Sequence, residues 1–161
     1  MLVIVCGLQG TGKTTVAKRI AAKRNATLLR TDTLRKELVL APQYSDQENE
    51  RVYDEMFIRA RSLLQQHVNT ILDATFSTFV RRNKAREVAQ QCRAQFKIVT
   101  VSAAEQIVKT RLEHRSGDDS EAGYQEYLKS KGLFERITED HVEIDNNGTL
   151  DDLDTQIAIH F

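Results

Sequence analysis

Apolar and polar positions along the 161-residue chain follow two alternating rhythms. Leu2–Cys6 (LVIVC) is a short continuous apolar run, partly β-branched, that stops at a glycine; this pattern predicts a strand buried on both faces. Residues 13–24 (KTTVAKRIAAKR) bring Val16, Ala17, Ile20 and Ala21 to one side, the spacing of a helix. A second short strand is predicted over Ala26–Arg30 and a short helix or turn over Thr31–Leu38. Pro42 then breaks the pattern. Ser45 and Glu48 have capping-box spacing and open a helical stretch to about His67, with Val52, Met56, Ala60 and Leu63/Leu64 as its core stripe. Thr70–Asp73 (TILD) predicts a strand that ends in a carboxylate. A helix from about Phe79 to Ala94 and a strand over Phe96–Val101 follow. Ser102 and Glu105 repeat the capping-box spacing ahead of a helix to about Arg115. A Gly/Asp-rich loop, Ser116–Ser120, precedes a helical stretch to about Phe134. Val142–Asp145 predicts the last strand, and Thr149 with Asp152 caps a final helix.

Strands therefore alternate with helices throughout, which predicts an α/β fold with a mainly parallel sheet and helices on both faces. No repeat, low-complexity stretch or Gly/Ser/Pro-rich linker divides the sequence, so residues 1–161 are expected to form a single domain. Sheets of this kind bind ligands beyond the carboxyl ends of their strands. The first strand ends at Gly7 and the third at Asp73, so the chemistry is expected there.

Composition excludes several classes. No run approaches the ~18 apolar residues of a membrane span, and no charged segment leads into a long apolar one as in a signal peptide. Cys6 and Cys92 lie far apart without metal-ligand spacing, so they read as packing thiols of a reduced, cytoplasmic protein. The 23 basic and 23 acidic side chains cancel, which counts against a broad nucleic-acid-coating surface. Their distribution is uneven: residues 1–36, 37–73, 74–115 and 116–161 carry +7, −4, +6 and −9. The two basic blocks would place positive charge around an anion, or would dissolve into mixed surfaces.

Gly7-Leu8-Gln9-Gly10-Thr11-Gly12-Lys13-Thr14 matches G-x-x-x-x-G-K-[ST] in full. Its glycines let the backbone turn sharply and aim successive N–H groups at phosphates, and the following helix points its positive end at the same anion. Lys13 is expected to reach the β- and γ-phosphates and the Thr14 hydroxyl to ligate Mg²⁺. The motif also falls between a predicted buried strand and a predicted helix, the context its chemistry requires. Asn83-Lys84-Ala85-Arg86 lacks the aspartate of a guanine-reading element, so a GTPase reading finds no support.

Three further groups can carry chemistry. Asp32 is the only acid in the first 36 residues; it fits a base that takes a proton from a substrate hydroxyl, and equally a helix N-cap. Arg35, one turn on, would pair with Asp32, hold an acceptor phosphate or simply face solvent. Asp73 ends its strand where a carboxylate would hold Mg²⁺ through water or orient an acceptor. Arg111 and Arg115 share one helix face beside the Ser116–Asp119 loop, where a lid would bring arginine to a transferring phosphoryl group. The run Arg81, Arg82, Lys84 and Arg86 is the candidate track for a polynucleotide, although such a run is usually a solvated face.

CGLQGTGKTT (6–15), TDTLRKEL (31–38), ILDATF (71–76), RLEHR (111–115) and SEAGYQEYLKSKGLFERI (120–137) together identify a resemblance. The chain resembles the small P-loop kinases related to the 5′-kinase domain of phage polynucleotide kinase, which are grouped with the AAA-type ATPases. The resemblance implies a three-layer fold with a five-stranded parallel sheet in adenylate-kinase-like order 2-3-1-4-5 and a small helical lid at about 111–125. It implies a nucleotide-binding loop reaching Thr15, Asp32 as general base, Arg35 on the acceptor phosphate and Asp73 at the acceptor site. Arg115, with Arg111 at the lid's other basic position, is implied on the donor phosphates. ATP and Mg²⁺ are the implied cofactors, and the acceptor is a hydroxyl of a polynucleotide or a small metabolite. No phosphatase domain of the bifunctional polynucleotide enzymes is read in the sequence, which weakens the polynucleotide alternative. The reading from another class is a nucleotide-binding regulatory ATPase without an acceptor.

Overall fold

The computed structural model describes residues 1–114 and 123–161. Its elements follow in the order β1 (Leu2–Cys6), α1 (Lys13–Arg24), β2 (Thr27–Arg30), α2 (Thr31–Leu38), α3 (Asp46–Gln65) and β3 (Thr70–Asp73). The second half runs α4 (Phe79–Gln91), β4 (Phe96–Ser102), α5 (Glu105–Glu113), α6 (Tyr124–Leu133), β5 (Val142–Asp145) and α7 (Leu150–His160). The five strands form one parallel sheet in the order β2-β3-β1-β4-β5.

β1 lies at the centre, and all five of its residues are fully buried, as its unbroken apolar run requires. Successive side chains of a strand point to opposite faces, so β1 splits the core in two. Leu2, Ile4 and Cys6 pack with Met56, Phe57, Leu72, Phe76, Val88 and Ile98 on the face covered by α3 and α4. Val3 and Val5 pack with Val16, Ile20, Ile71, Val99, Leu153 and Ile157 on the face covered by α1 and α7. Three layers result, and the strand ends β1, β2 and β3 meet along one edge of the molecule.

Local chemistry explains most boundaries. Asn25 ends α1 in the left-handed region (φ 46°), and its N–H returns to Ala21 and Ala22 carbonyls. Thr149 and Asp152 cap α7 reciprocally, the Asp152 N–H donating to Thr149 Oγ1 at 3.2 Å and the Thr149 N–H to Asp152 Oδ2 at 2.8 Å. Ser45 accepts the Glu48 N–H at 3.2 Å and so starts α3, but the Glu48 carboxylate does not return to Ser45; it accepts the Gln43 N–H at 2.8 Å and pairs with Arg35. The Ser102–Glu105 cap does not form. Ser102 closes β4, Ala104 takes the N-cap position, and Glu105 turns away to bind Tyr124 and Lys131 across to α6. The α4 helix stops three residues before the expected Ala94, because Arg93 turns into the left-handed region at φ 51°. The expected Ser116–Ser120 loop lies outside the described residues. Among the described residues, no helix is long and apolar enough to cross a membrane. Cys6 is buried and Cys92 half-buried, neither in a disulfide, and burial pushes the Cys6 thiol well up from its ordinary range.

Candidate active site

The turn between β1 and α1 sits beyond the carboxyl end of the central strand, and its glycines are there for space. Gly7, Gly10 and Gly12 have φ of 145°, 77° and 92°, which side-chain-bearing residues adopt only with strain. A Cβ on Gly7 would lie 2.5 Å from the Val101 carbonyl oxygen, and one on Gly12 would lie 2.0 Å from Asn146 Nδ2. The loop is also pinned from within and behind. Leu8 O accepts from Thr11 Oγ1 and from Lys13 Nζ, both at 2.8 Å. Thr11 O accepts from the buried Asn146 side chain at 2.8 Å and from Arg111 at 3.4 Å, while Arg111 also donates to Asn146 O at 2.9 Å. Gln9 donates to Ser130 Oγ of α6 at 3.0 Å. α1 begins at Lys13 with no acid in its first turn and no side chain capping it, so its positive end faces the cleft unshielded.

The next layer comes from β3 and β2. Asp73 is buried at the end of β3, and its Oδ2 accepts from Thr14 Oγ1 at 2.6 Å. Arg30 stands opposite Asp73 in the strand register, with Nε 3.3 Å from the same oxygen and another nitrogen 3.4 Å from Thr14 Oγ1. A carboxylate, a hydroxyl and a guanidinium thus converge below the loop. Asp32 lies in the first turn of α2; Arg30 takes the N-cap position, so Asp32 is not the helix cap. Asp32, Arg35, Asp73, Lys13, Thr14 and Thr15 all line one cleft of about 1240 Å³ that runs from the loop to the junction of α3 and α4.

Arg35 does not face solvent. Only 6% exposed, it pairs with Glu48, donates to Asn49 Oδ1 at 2.7 Å and stacks 4.6 Å from the centre of the Tyr44 ring. The Gln43 N–H, outweighing burial, and then Arg35 hold the Glu48 carboxyl below its ordinary range. Burial pushes the Tyr53 phenol up to about 12, so it stays protonated while its oxygen accepts the Phe76 N–H.

The basic run on α4 is engaged within the chain. Arg81 pairs with Glu50 at 2.9 Å, Lys84 with Asp54 at 2.6 Å, and Arg86 lies over the Phe96 ring. Arg82 is 1% exposed and pairs with Glu139 at 2.8 Å. Acids remote in sequence pair with Arg81, Arg82 and Lys84.

The structure gathers Gln9, Gly10, Gly12, Lys13, Thr14, Thr15, Asp32, Arg35, Asp73 and Arg111 along this cleft, while Gly7, Leu8 and Thr11 belong to the loop without lining it; Arg111 also braces the loop through Thr11 O. Arg115 lies outside the described residues. Sequence reasoning missed Arg30, Glu48, Ser130 and Asn146. Asn146 directly follows β5, where the rule of ligands beyond strand ends would have flagged it; Arg30 emerges only from the register against Asp73.

A parallel sheet in this order, with a glycine loop after the central strand and a lysine opening the next helix, defines the P-loop fold in its kinase-like form. The gluconokinase of Sinorhizobium meliloti 1021 has the same fold at a TM-score of 0.75, with 17% identity over 96% of this chain and 87% of that one. The APS kinase CysC of Mycobacterium tuberculosis, solved with AMPPNP and APS, matches at 0.74, with 20% identity over 98% and 95%. "Uncharacterized protein Rv2004c" of Mycobacterium tuberculosis strain H37Rv is 30% identical in an alignment of 133 positions that covers 75% of this chain and 27% of that protein. The chain thus spans about a quarter of that relative's length. Residues 2–137 match the AAA_33 family, an AAA domain, and the chain belongs to this family.

Proposed function

We propose that this protein is an ATP- and Mg²⁺-dependent kinase that transfers the γ-phosphoryl group to a hydroxyl of a small acceptor. The observation that carries the reading is the single cleft. A phosphate cradle, the Thr14–Asp73 contact at 2.6 Å and the Asp32–Arg35 arm share it, and it extends well past the cradle. A regulatory ATPase would have no use for that second arm.

The residues fit the nucleotide. Gly7 and Gly12 let the loop pack against Val101 O and Asn146 where a side chain would clash, and the backbone N–H groups and α1 terminus supply charge complementary to phosphate. They fit the metal as well: a hydroxyl and a carboxylate are hard oxygen donors. Among the described residues no cluster of three or more His, Cys, Asp or Glu is placed to hold an ion. That suits a cation carried by one or two protein oxygens and the phosphates themselves. When bound, Mg²⁺ would neutralise oxygens of the β- and γ-phosphates.

Lys13 would leave Leu8 O for the β- and γ-phosphates. Asp73 would orient the Thr14 hydroxyl and the metal's water shell, with Arg30 as a competing cation beside the carboxylate. Asp32 would take the acceptor hydroxyl's proton as the acceptor oxygen bonds to the γ-phosphorus. The bond to the β–γ bridging oxygen breaks and ADP leaves. The engagement of Arg81, Arg82 and Lys84 by acids of the chain favours a small metabolite over a polynucleotide. A labelled-ATP transfer screen over oligonucleotides, nucleosides, sugars and aminoglycosides tests the reading; ATP turnover with no labelled acceptor anywhere would leave the regulatory ATPase standing.

A further inference from the structure

Three cations of the cleft where α2, α3 and α4 meet, Arg35, Arg81 and Lys84, are each matched by an acid of this chain. Arg81 pairs with Glu50 and Lys84 with Asp54 at the α3–α4 junction. Arg35 is the most deeply set. One terminal nitrogen of its guanidinium pairs with Glu48 and the other donates to Asn49 Oδ1 at 2.7 Å. The side chains of this pair are only 7% and 10% exposed, so solvent screens little of the compensation. Asp46, in the first turn of α3, adds another carboxylate to the same wall. Arg35 Nε is a buried N–H with no acceptor among the described residues, and each terminal nitrogen keeps a second N–H.

Arginine selects phosphate and carboxylate through its full positive charge and a two-pronged fork. Here the charge is cancelled and both terminal nitrogens are engaged. A second anion at this place would meet the Glu48 carboxylate across the same guanidinium. A neutral hydroxyl oxygen meets no such repulsion and would satisfy Nε. Asp32 and Arg35 lie three residues apart on α2, which separates their Cβ atoms by about 5–6 Å, a span that two hydroxyls of one small polyol bridge.

We propose that Glu48 is a specificity-determining residue that neutralises Arg35, so that the acceptor is an uncharged polyhydroxyl compound and phosphorylated or carboxylated analogues are rejected. The proposal rests on the kinase reading above. One acceptor hydroxyl faces Asp32 for transfer and a neighbouring hydroxyl accepts from Arg35 Nε. This departs from the role that the resemblance implied for Arg35, a clamp on an acceptor phosphate.

The test is a labelled-ATP screen with matched acceptors: a set of neutral sugars, sugar alcohols and nucleosides, each beside its phosphate ester, with D-glucitol beside D-gluconate. Wild-type protein is expected to label neutral members with kcat/KM at least a hundredfold above their charged partners. Glu48→Gln keeps a hydrogen-bond acceptor for Arg35 but removes the charge. It should shrink that ratio at least tenfold, chiefly through a lower KM for the charged partner, and Glu48→Asp should restore it. Preference for charged partners in the wild type overturns the proposal while leaving the kinase reading intact, and needs no variant. A folded Glu48→Gln protein with an unchanged ratio overturns it too. ATP turnover without transfer to any acceptor removes the kinase reading, and this proposal with it.

Discussion

Glu139→Ala should cost this protein far more stability than a loop carboxylate ordinarily contributes. The Glu139 carboxylate receives Arg82 Nε at 2.8 Å and the Thr138 N–H at 2.9 Å, and a further guanidinium nitrogen donates to Phe76 O at 3.1 Å. The two side chains are 1% and 7% exposed, so the truncation strands a guanidinium in the interior. Breaking a buried pair in this way costs about 3–5 kcal/mol. For a chain of this size each kcal/mol lowers Tm by about 2–4 °C, a fall of roughly 6–20 °C in all. Thermal unfolding followed by circular dichroism at neutral pH measures it. The double variant Arg82→Met/Glu139→Leu, which removes both charges, should recover most of the loss. Burial by itself would raise the Glu139 carboxyl above its ordinary 4.5, but the hydrogen bonds from Arg82 and the backbone outweigh it and hold it lower. The pair's contribution is therefore complete above that ordinary value and disappears as pH falls through the lower, folded one, so wild type and Glu139→Ala should converge in acid. A Tm loss below about 2 °C, or a double variant as unstable as the single one, would refute the reasoning.

Other outcomes follow from the cleft. Asp32→Asn should lower phosphoryl transfer by about 10²–10⁴ while ATP affinity stays within a few-fold; transfer at the wild-type rate would remove Asp32 as the base. Gly12→Ala drives a Cβ to 2.0 Å from Asn146 Nδ2 at a φ of 92° and should abolish nucleotide binding in a fluorescent-ATP titration. Gly132→Ala, which meets nothing within 4 Å, should bind as the wild type does. Arg30→Gln removes a cation that sits 3.3 Å from Asp73 Oδ2 and competes with metal for it, so the Mg²⁺ concentration for half-maximal activity should fall. An unchanged or higher requirement would count against Asp73 at the metal.

What the sequence by itself determined was everything that depends on neighbours in the chain. The LVIVC and TILD runs, the helix periodicities and the glycine loop with Lys13 and Thr14 each carry their meaning within a dozen residues, and each stands where the local pattern placed it. The strand order came from the resemblance, since parallel strands pair through crossovers that leave no mark in local periodicity. Only the tertiary structure decided how charges are spent. Arg82 and Arg81 look alike in the sequence, yet one is 1% exposed against Glu139, 57 residues away, and the other answers Glu50 on α3. Glu48 has the spacing of a capping-box acid, but Arg35 and Gln43 claim its carboxylate once α2 and α3 pack. Arg30 meets Asp73 only because β2 and β3 pair in that register. Hydrophobic periodicity reports on which face is buried; the partner of a buried charge is set by which remote segment the sheet brings beside it.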